Sequence, residues 1–307
     1  MQPKKFALVD GNALLHRAYH AYPQTLRTSK GELVNAIYGF SRIMLTLVKS
    51  LRPDYIAIAF DRAEPTFRHL DYAGYKAHRP KMENELAGQL DLLKEVVGAM
   101  HLKSYSIAGF EADDIIGTIC RQLNDKKLGI DTYIVTGDMD ALQLIDENTF
   151  VYSPTNGMAH PKLWLEKDVI IKYGFEPKYI VDYKALRGDP SDSIPGVKGI
   201  GAVTAKKLIA RWGTLENIYK KIASVKPPSV SEKLAQEVEM ASLSKKLATI
   251  RQDVPLTIRL DECRHLEFER NTDLADFFEA MEFKSLIKQV AGSKKDGGAH
   301  GQMPLTL

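Results

Sequence analysis

Apolar positions along the chain follow two periods. "FALVD" (6–10), "YIAIAF" (55–60) and "TYIVT" (132–136) are short runs rich in β-formers, and each ends close to a carboxylate. "LVNAIYGFSRIMLTLVKSL" (33–51), "LAGQLDLLKEVVGAM" (86–100) and "ADDIIGTICRQL" (112–123) repeat apolar residues every three or four positions and predict amphipathic helices. Strands alternating with helices predict an α/β fold, with a largely parallel central sheet flanked by helices. After about residue 175 helices dominate, with one further strand expected at "VPLTIRL" (254–260). The stretch "KALRGDPSDSIPGVKGIGAVTAKKLIARWG" (184–213) predicts a glycine-rich turn and then a helix from near Ala202 to just before Gly213. Residues 291–307, Gly-rich and without periodicity, read as a flexible tail or linker.

Composition narrows this only slightly. The chain has 307 residues, 44% hydrophobic and 26% charged, which is ordinary globular composition. No run approaches the roughly 20 apolar residues of a membrane span, so a soluble, cytoplasmic protein is expected. Cys120 and Cys263 lie far apart, and Cys120 sits in a helical pattern, so buried free thiols are expected rather than a disulfide or zinc site. The eight histidines, among them His16, His20, His69 and His78, form no H-E-x-x-H and no pair of plausible ligand spacing; surface or packing roles are expected.

The acidic residues change the picture. "GFEADDIIG" (109–117) places Glu111, Asp113 and Asp114 ahead of an apolar run. A helix N-terminus accommodates one or two such charges, not three without a nearby cation. In open parallel sheets ligands gather outside the carboxyl ends of the strands, and Asp10, Asp61, Asp138 and Asp140 follow the three strands directly. "GDPSD" adds Asp189 and Asp192. A single acid at a strand or helix end is ordinarily a cap or turn residue, whereas nine converging acids repel unless cations neutralise them. Oxygen donors without His or Cys select Mg²⁺ or Mn²⁺, and two such ions about 3.5–4 Å apart are the usual arrangement for phosphodiester hydrolysis.

The net charge of +3 alone indicates no partner, but its distribution does. The nine acids belong to a total of 39 against 42 Lys and Arg, so the rest of the surface is distinctly basic and suits a polyanion. "FRHLDYAGYKAHRPKM" (67–82) interleaves Arg68, Lys76, Arg79 and Lys81 with Tyr72 and Tyr75. Lys76 and Arg79 are expected to grip a scissile phosphate and Tyr75 to stack on an unpaired base. "GVKGIGAVTAKKL" (196–208) offers Gly196, Lys198, Gly199 and Gly201 at a helix N-terminus followed by Lys206 and Lys207, a geometry suited to a backbone phosphate.

Together "LVDGNALLHRAYHA", "AFDRAEPTFRH", "YKAHRP", "GFEADDIIG", "TGDMDALQL" and "LRGDPSDSIPGVKGIGAVTAKKL" resemble, in order and from about residue 5 to 290, the bacterial 5′ nucleases. This family comprises the 5′ to 3′ exonuclease domain of DNA polymerase I and stand-alone flap endonucleases. The resemblance implies a nuclease core over 1–175 with a helical arch at about 64–84. It also implies a helical DNA-binding region over 176–290 carrying a helix-three-turn-helix at about 186–212, whose carbonyls hold K⁺. Asp10, Asp61, Glu111, Asp113 and Asp114 then surround the catalytic metal, and Asp138, Asp140, Asp189 and Asp192 the second. Arg17, Lys76 and Arg79 match basic residues near the scissile phosphate, Tyr75 the arch aromatic, and Gly196, Gly199 and Gly201 the DNA-gripping turn. Met139 and Ser193 depart from the Lys and Asn found in many relatives. The implied activity is a Mg²⁺- or Mn²⁺-dependent nuclease, expected as a monomer, acting on DNA with 5′ flaps, nicks or 5′ ends, including RNA-primed ends. A polymerase domain in cis or in trans is the implied partner. A non-catalytic DNA-junction module and a small-substrate phosphatase are the competing readings.

Overall fold

The first strand, β1 (Lys4–Asp10), is buried on both sides: Phe6 and Leu8 point into one hydrophobic cluster, Ala7 and Val9 into another. In the computed structural model, which describes residues 3–126, 128–154, 161–265, 268 and 271–290, five more strands join it. They are β2 (Tyr55–Ala59), β3 (Lys103–Tyr105), β4 (Ile130–Val135), β5 (Thr149–Ser153) and β6 (Lys162–Trp164), in spatial order β3-β2-β1-β4-β5-β6. All pairings are parallel except β5 with β6. Strand order reverses between β1 and β4, and the crevice outside their carboxyl ends is where such sheets hold ligands. The expected tail at 291–307 lies outside the described residues.

The N-terminal helices are α1 (Gly11–Ala21), α2 (Asn35–Leu51), α3 (Phe67–Asp71), α4 (Asn84–Ala87), α5 (Leu90–Ala99) and α6 (Ala112–Asp125). The single helix expected over 86–100 is broken at Gly88–Gln89. Gln89 is buried there, accepting from Ala36 N–H at 3.0 Å and donating to Asn35 Oδ1 at 3.0 Å, so it caps the start of α2. α1, α2 and α5 cover one sheet face and α6 the other.

Beyond β6 come α7 (Glu166–Tyr173), α8 (Ile180–Arg187), α9 (Ala202–Trp212), α10 (Leu215–Lys220), α11 (Pro228–Gln236), α12 (Val238–Ala248), α13 (Thr272–Ala280) and α14 (Lys284–Val290). The hydrophobic cluster under α6 continues without a break into α8, α9 and α10. α13 and α14 instead return to the α5 face, where Asn271 Nδ2 donates to Ala99 O at 2.8 Å, so the last helices pack on the sheet layer and not on the C-terminal helices.

Two expectations are corrected. Residues 254–260 form no strand. Their backbone is satisfied by side chains of α6: Thr118 and Gln122 accept from Val254 and Ile258 N–H, and Gln122 donates to Leu256 O. The segment expected as a helical arch is not helical throughout: it contains α3, turns through residues 72–79 with Tyr75 buried, and reaches the start of α4 at Asn84. Among the described residues no helix is long and apolar enough to cross a membrane.

Candidate functional site

Asp10 closes β1 and caps α1, its Oδ1 accepting from Ala13 N–H at 2.9 Å and its Oδ2 from Thr136 Oγ1 at 2.9 Å. Thr136 follows β4, so this bond ties the two strands at the point where their order reverses. Thr136 Oγ1 in turn accepts from Asp138 N–H at 3.0 Å, and Asp138 Oδ1 from Asp140 N–H at 2.8 Å, which fixes the "TGDMD" loop on the rim. Asp61, beyond β2, accepts from Ala112 N–H at 2.7 Å at the start of α6, while its own N–H donates to Asn12 Oδ1.

In the first turn of α6, the Asp113 carboxylate faces Asp138, Asp10 and Asp140 without a hydrogen bond or ion pair of its own among the described residues. Burial first, and then these three neighbours, push its carboxyl well above the usual range. Burial, together with the charges of Asp61 and Asp138, raises Asp10 to about 6. Asp140 is raised to about 6 by burial and by Asp138, against the pull of Lys184.

Several of the acids are paired with basic side chains. Lys184 on α8 reaches Asp140 and also Asp189, the latter at 2.5 Å, and Asp189 further accepts from Ser191 N–H and Oγ. Although burial opposes it, Lys184 holds Asp189 below the usual range. Lys76 Nζ donates to Glu111 at 2.9 Å and Tyr75 Oη to Glu111 at 3.0 Å, so Glu111 is also held low despite burial. Asp192 accepts weakly from Tyr75 Oη at 3.4 Å, and burial, only partly offset by Lys76, raises it. Asp138, Asp140, Lys184 and Asp189 line a pocket of about 350 Å³ with Tyr183 and Arg187.

The nine acids therefore form a ring rather than a tight knot. Among the described residues the one trio of metal-ligating groups with all ligand atoms within 4.8 Å is His16, His20 and Glu83. Three basic side chains, Arg68, Lys76 and Lys184, occupy part of the ring.

Several sequence expectations change. Asp114 is not open to a metal, since its oxygens accept from Arg68, from Glu111 N–H and from Arg251 N–H. Arg68, expected on DNA, is buried against Asp114 and against the carbonyls of Leu247 and Thr249. Tyr75 is buried and cannot stack on a base in this conformation. Gly196 donates its N–H to Ser244 Oγ at 3.0 Å and is closed to a phosphate. Lys206 donates to Lys172 O at 2.9 Å, at the end of α7. Arg79, Lys81, Lys198, Gly199, Gly201 and Lys207 are exposed, and half-buried Arg17 on α1 makes no ion pair among the described residues. The sequence reading missed Lys184, although it lies five residues before Asp189, and missed Thr136 inside a motif it used. It also missed the i, i+4 spacing of His16 and His20.

Two family models match the chain: the 5′-3′ exonuclease N-terminal resolvase-like domain over residues 5–174, and the 5′-3′ exonuclease C-terminal SAM fold over 175–271. DNA polymerase I of Caldicellulosiruptor bescii is 40% identical over 94% of the chain, and that of Bacillus caldotenax 37% identical over 99%. The chain spans about a third of the length of these relatives, 34% in each case. Among solved structures, the T5 D15 protein co-crystallised with metal ions covers 94% of the chain and 100% of its own length, with a TM-score of 0.65 and 19% identity. The catalytic core of Rad2 in complex with a DNA substrate covers 94% of this chain and 92% of its own, with a TM-score of 0.55 and 16% identity. Both carry the same fold.

Proposed function

Because the chain belongs to the 5′-3′ exonuclease family, we propose that it hydrolyses phosphodiester bonds at 5′ ends and 5′ flaps of DNA, using divalent ions bound at the β1–β4 crevice. The observation that carries this reading is Asp113: a half-buried carboxylate that faces Asp10, Asp138 and Asp140 and makes no ion pair with Lys or Arg among the described residues. The donors are all hard oxygens, which fits Mg²⁺ or Mn²⁺. Asp10, Asp61, Asp113, Asp138 and Asp140 would hold these ions, with Asp189 and Asp192 at the edge. When bound, the ions supply an ionised water and stabilise charge on the phosphorus centre.

The chain's own residues do the rest. Arg79, exposed and close enough to bias Asp61, offers positive charge to the phosphate beside the acids. Lys76 is positioned to exchange Glu111 for that phosphate. Asn12 and the α6 N-terminus hold Asp61 in place. On the helical side, the exposed N–H groups at the start of α9 and the exposed Lys198 and Lys207 suit a phosphate of the duplex, with residues 1–175 acting as the nuclease half and 176–271 as the DNA-binding half. Gly199 O accepts from Lys233 Nζ at 3.3 Å, so a K⁺ ion at this turn would compete with an ammonium group.

The test is a labelled 5′-flap duplex incubated with Mg²⁺ and with EDTA. Cleavage is expected only with Mg²⁺, and Asp113→Asn or Asp138→Asn should remove it while flap binding stays within roughly tenfold. Full activity in either variant rejects the reading. A non-catalytic junction module is the second reading, favoured by Lys184 already neutralising Asp140 and Asp189; binding without cleavage in Mg²⁺ is its signature.

A further inference from the structure

His16 and His20 lie four residues apart on α1 and so project from one face of the helix. Their Nε2 atoms are 3.3 Å apart and their ring centroids 4.5 Å apart. Across from them Glu83, at the N-cap of α4, brings in a carboxylate, and one ligand atom from each of the three lies within 4.8 Å of the others. All three residues are exposed, so an ion has free access. None of them belongs to the acidic ring.

The donor chemistry differs from that of the crevice. Two imidazole nitrogens and one carboxylate oxygen select a borderline transition ion over Mg²⁺, and three protein ligands plus a water make the tetrahedral set such ions prefer. Partial desolvation of the ring and the neighbouring His20 lower the pKa of His16, which favours the neutral, ligating form. Arg79 also faces His16 and opposes a cation there, while the Glu83 charge offsets it.

We propose that His16, His20 and Glu83 form a site for a divalent ion of the zinc class, separate from the nuclease centre. Such an ion clasps α1, which Asp10 caps, to the far end of the basic segment that carries Lys76 and Arg79. It thereby restrains the segment expected to contact the substrate.

The test is a Zn²⁺ titration of the full chain in excess Mg²⁺, followed through the imidazole ¹H–¹⁵N resonances. Saturable shifts of the His16 and His20 rings are expected, with other histidines unaffected. His16→Ala, His20→Ala and Glu83→Gln should each weaken this response by about tenfold or more. Asp113→Asn, which alters only the acidic ring, should leave it intact, so the result does not depend on the nuclease reading. Ring resonances unmoved by excess Zn²⁺, or a His16→Ala/His20→Ala double variant with undiminished Zn²⁺ affinity in Mg²⁺, overturns the proposal. Since these side chains are exposed, thermal melts of the variants should match the parent.

Discussion

Arg68 and Asp114 meet in a bidentate pair, Nη1 to Oδ2 and Nη2 to Oδ1, both at 2.8 Å, with the residues 2% and 0% exposed. Arg68 also reaches Glu111 and the carbonyls of Leu247, in the last turn of α12, and of Thr249, just past its end, so one guanidinium joins α3, α6 and the C-terminal helices. Removing Asp114 leaves the buried guanidinium only the longer contact to Glu111 at 3.3 Å, and breaking such a buried pair costs about 3–5 kcal/mol. Asp114→Ala should therefore lower the urea midpoint steeply, whether or not Mg²⁺ is present. A variant of unchanged stability, but altered Mg²⁺ affinity, would return Asp114 to the metal site.

That pair also marks the limit of what periodicity and motif could reveal. The three strand ends and the start of α6 were legible because each sits where an apolar period stops at a carboxylate, and parallel-sheet topology brings such ends together. Which acids are neutralised from within was not legible. Arg68 lies 46 residues from Asp114 and looked like surface charge in a basic run; only the fold draws it inside. β3 and β6, of three residues each, are too short to show a period. The extended run 254–260 alternates like a strand, but it finds side chains of α6 in place of a sheet neighbour.

The raised acids set a pH dependence. Asp10 and Asp140 titrate near 6 in the folded chain, and Asp113 is raised as well, against about 3.9 unfolded. Each binds its proton more tightly folded than unfolded. The stability this brings is therefore fully present below about pH 4 and is lost as pH rises through 6. Glu111 and Asp189, held low, act in the opposite sense and weaken the fold only as pH falls below the carboxylate range. Melts in EDTA should show stability declining from pH 5 to 7.5, after other groups are matched by an Asp113→Asn control. Mg²⁺ should restore it at pH 7.5, by about 2.7 kcal/mol at a hundred times its Kd, and much less at pH 5. Equal Mg²⁺ stabilisation at both values contradicts the carboxylate assignment.

Ser193 sits at φ +57°, a left-handed conformation that Ser adopts reluctantly, and its buried Oγ has no hydrogen-bond partner among the described residues. Asn tolerates that conformation and carries a longer polar group. Ser193→Asn should stabilise the chain by roughly 0.5–1 kcal/mol, read as a higher melting temperature. A lower melting temperature would mean that the space around Oγ is too small for the amide.

Gly188 and Gly196 decide whether the last acids reach the site. Both have positive φ, and a Cβ on Gly196 would lie 2.2 Å from Gly188 N. The two backbones touch where Asp189 and Ile194 exchange hydrogen bonds at 2.8 Å, the short bridge that presents Asp189 to Lys184 and Asp140. Gly196→Ala combines left-handed strain with overpacking against immovable backbone, so more than about 3 kcal/mol of stability should be lost, and Asp189 displaced with it. Gly201 supplies the contrast. Its Cβ would meet nothing within 4 Å, and it stands at the N-cap of α9, where the exposed N–H groups face solvent. Gly201→Ala should cost no more than about 1 kcal/mol as a poorer cap, yet crowd a phosphate approaching those N–H groups. Duplex binding should then fall severalfold while Mg²⁺-dependent stabilisation is unchanged. Unaltered duplex affinity in this variant would remove the α9 N-terminus from the DNA contact and leave its glycines a purely structural role.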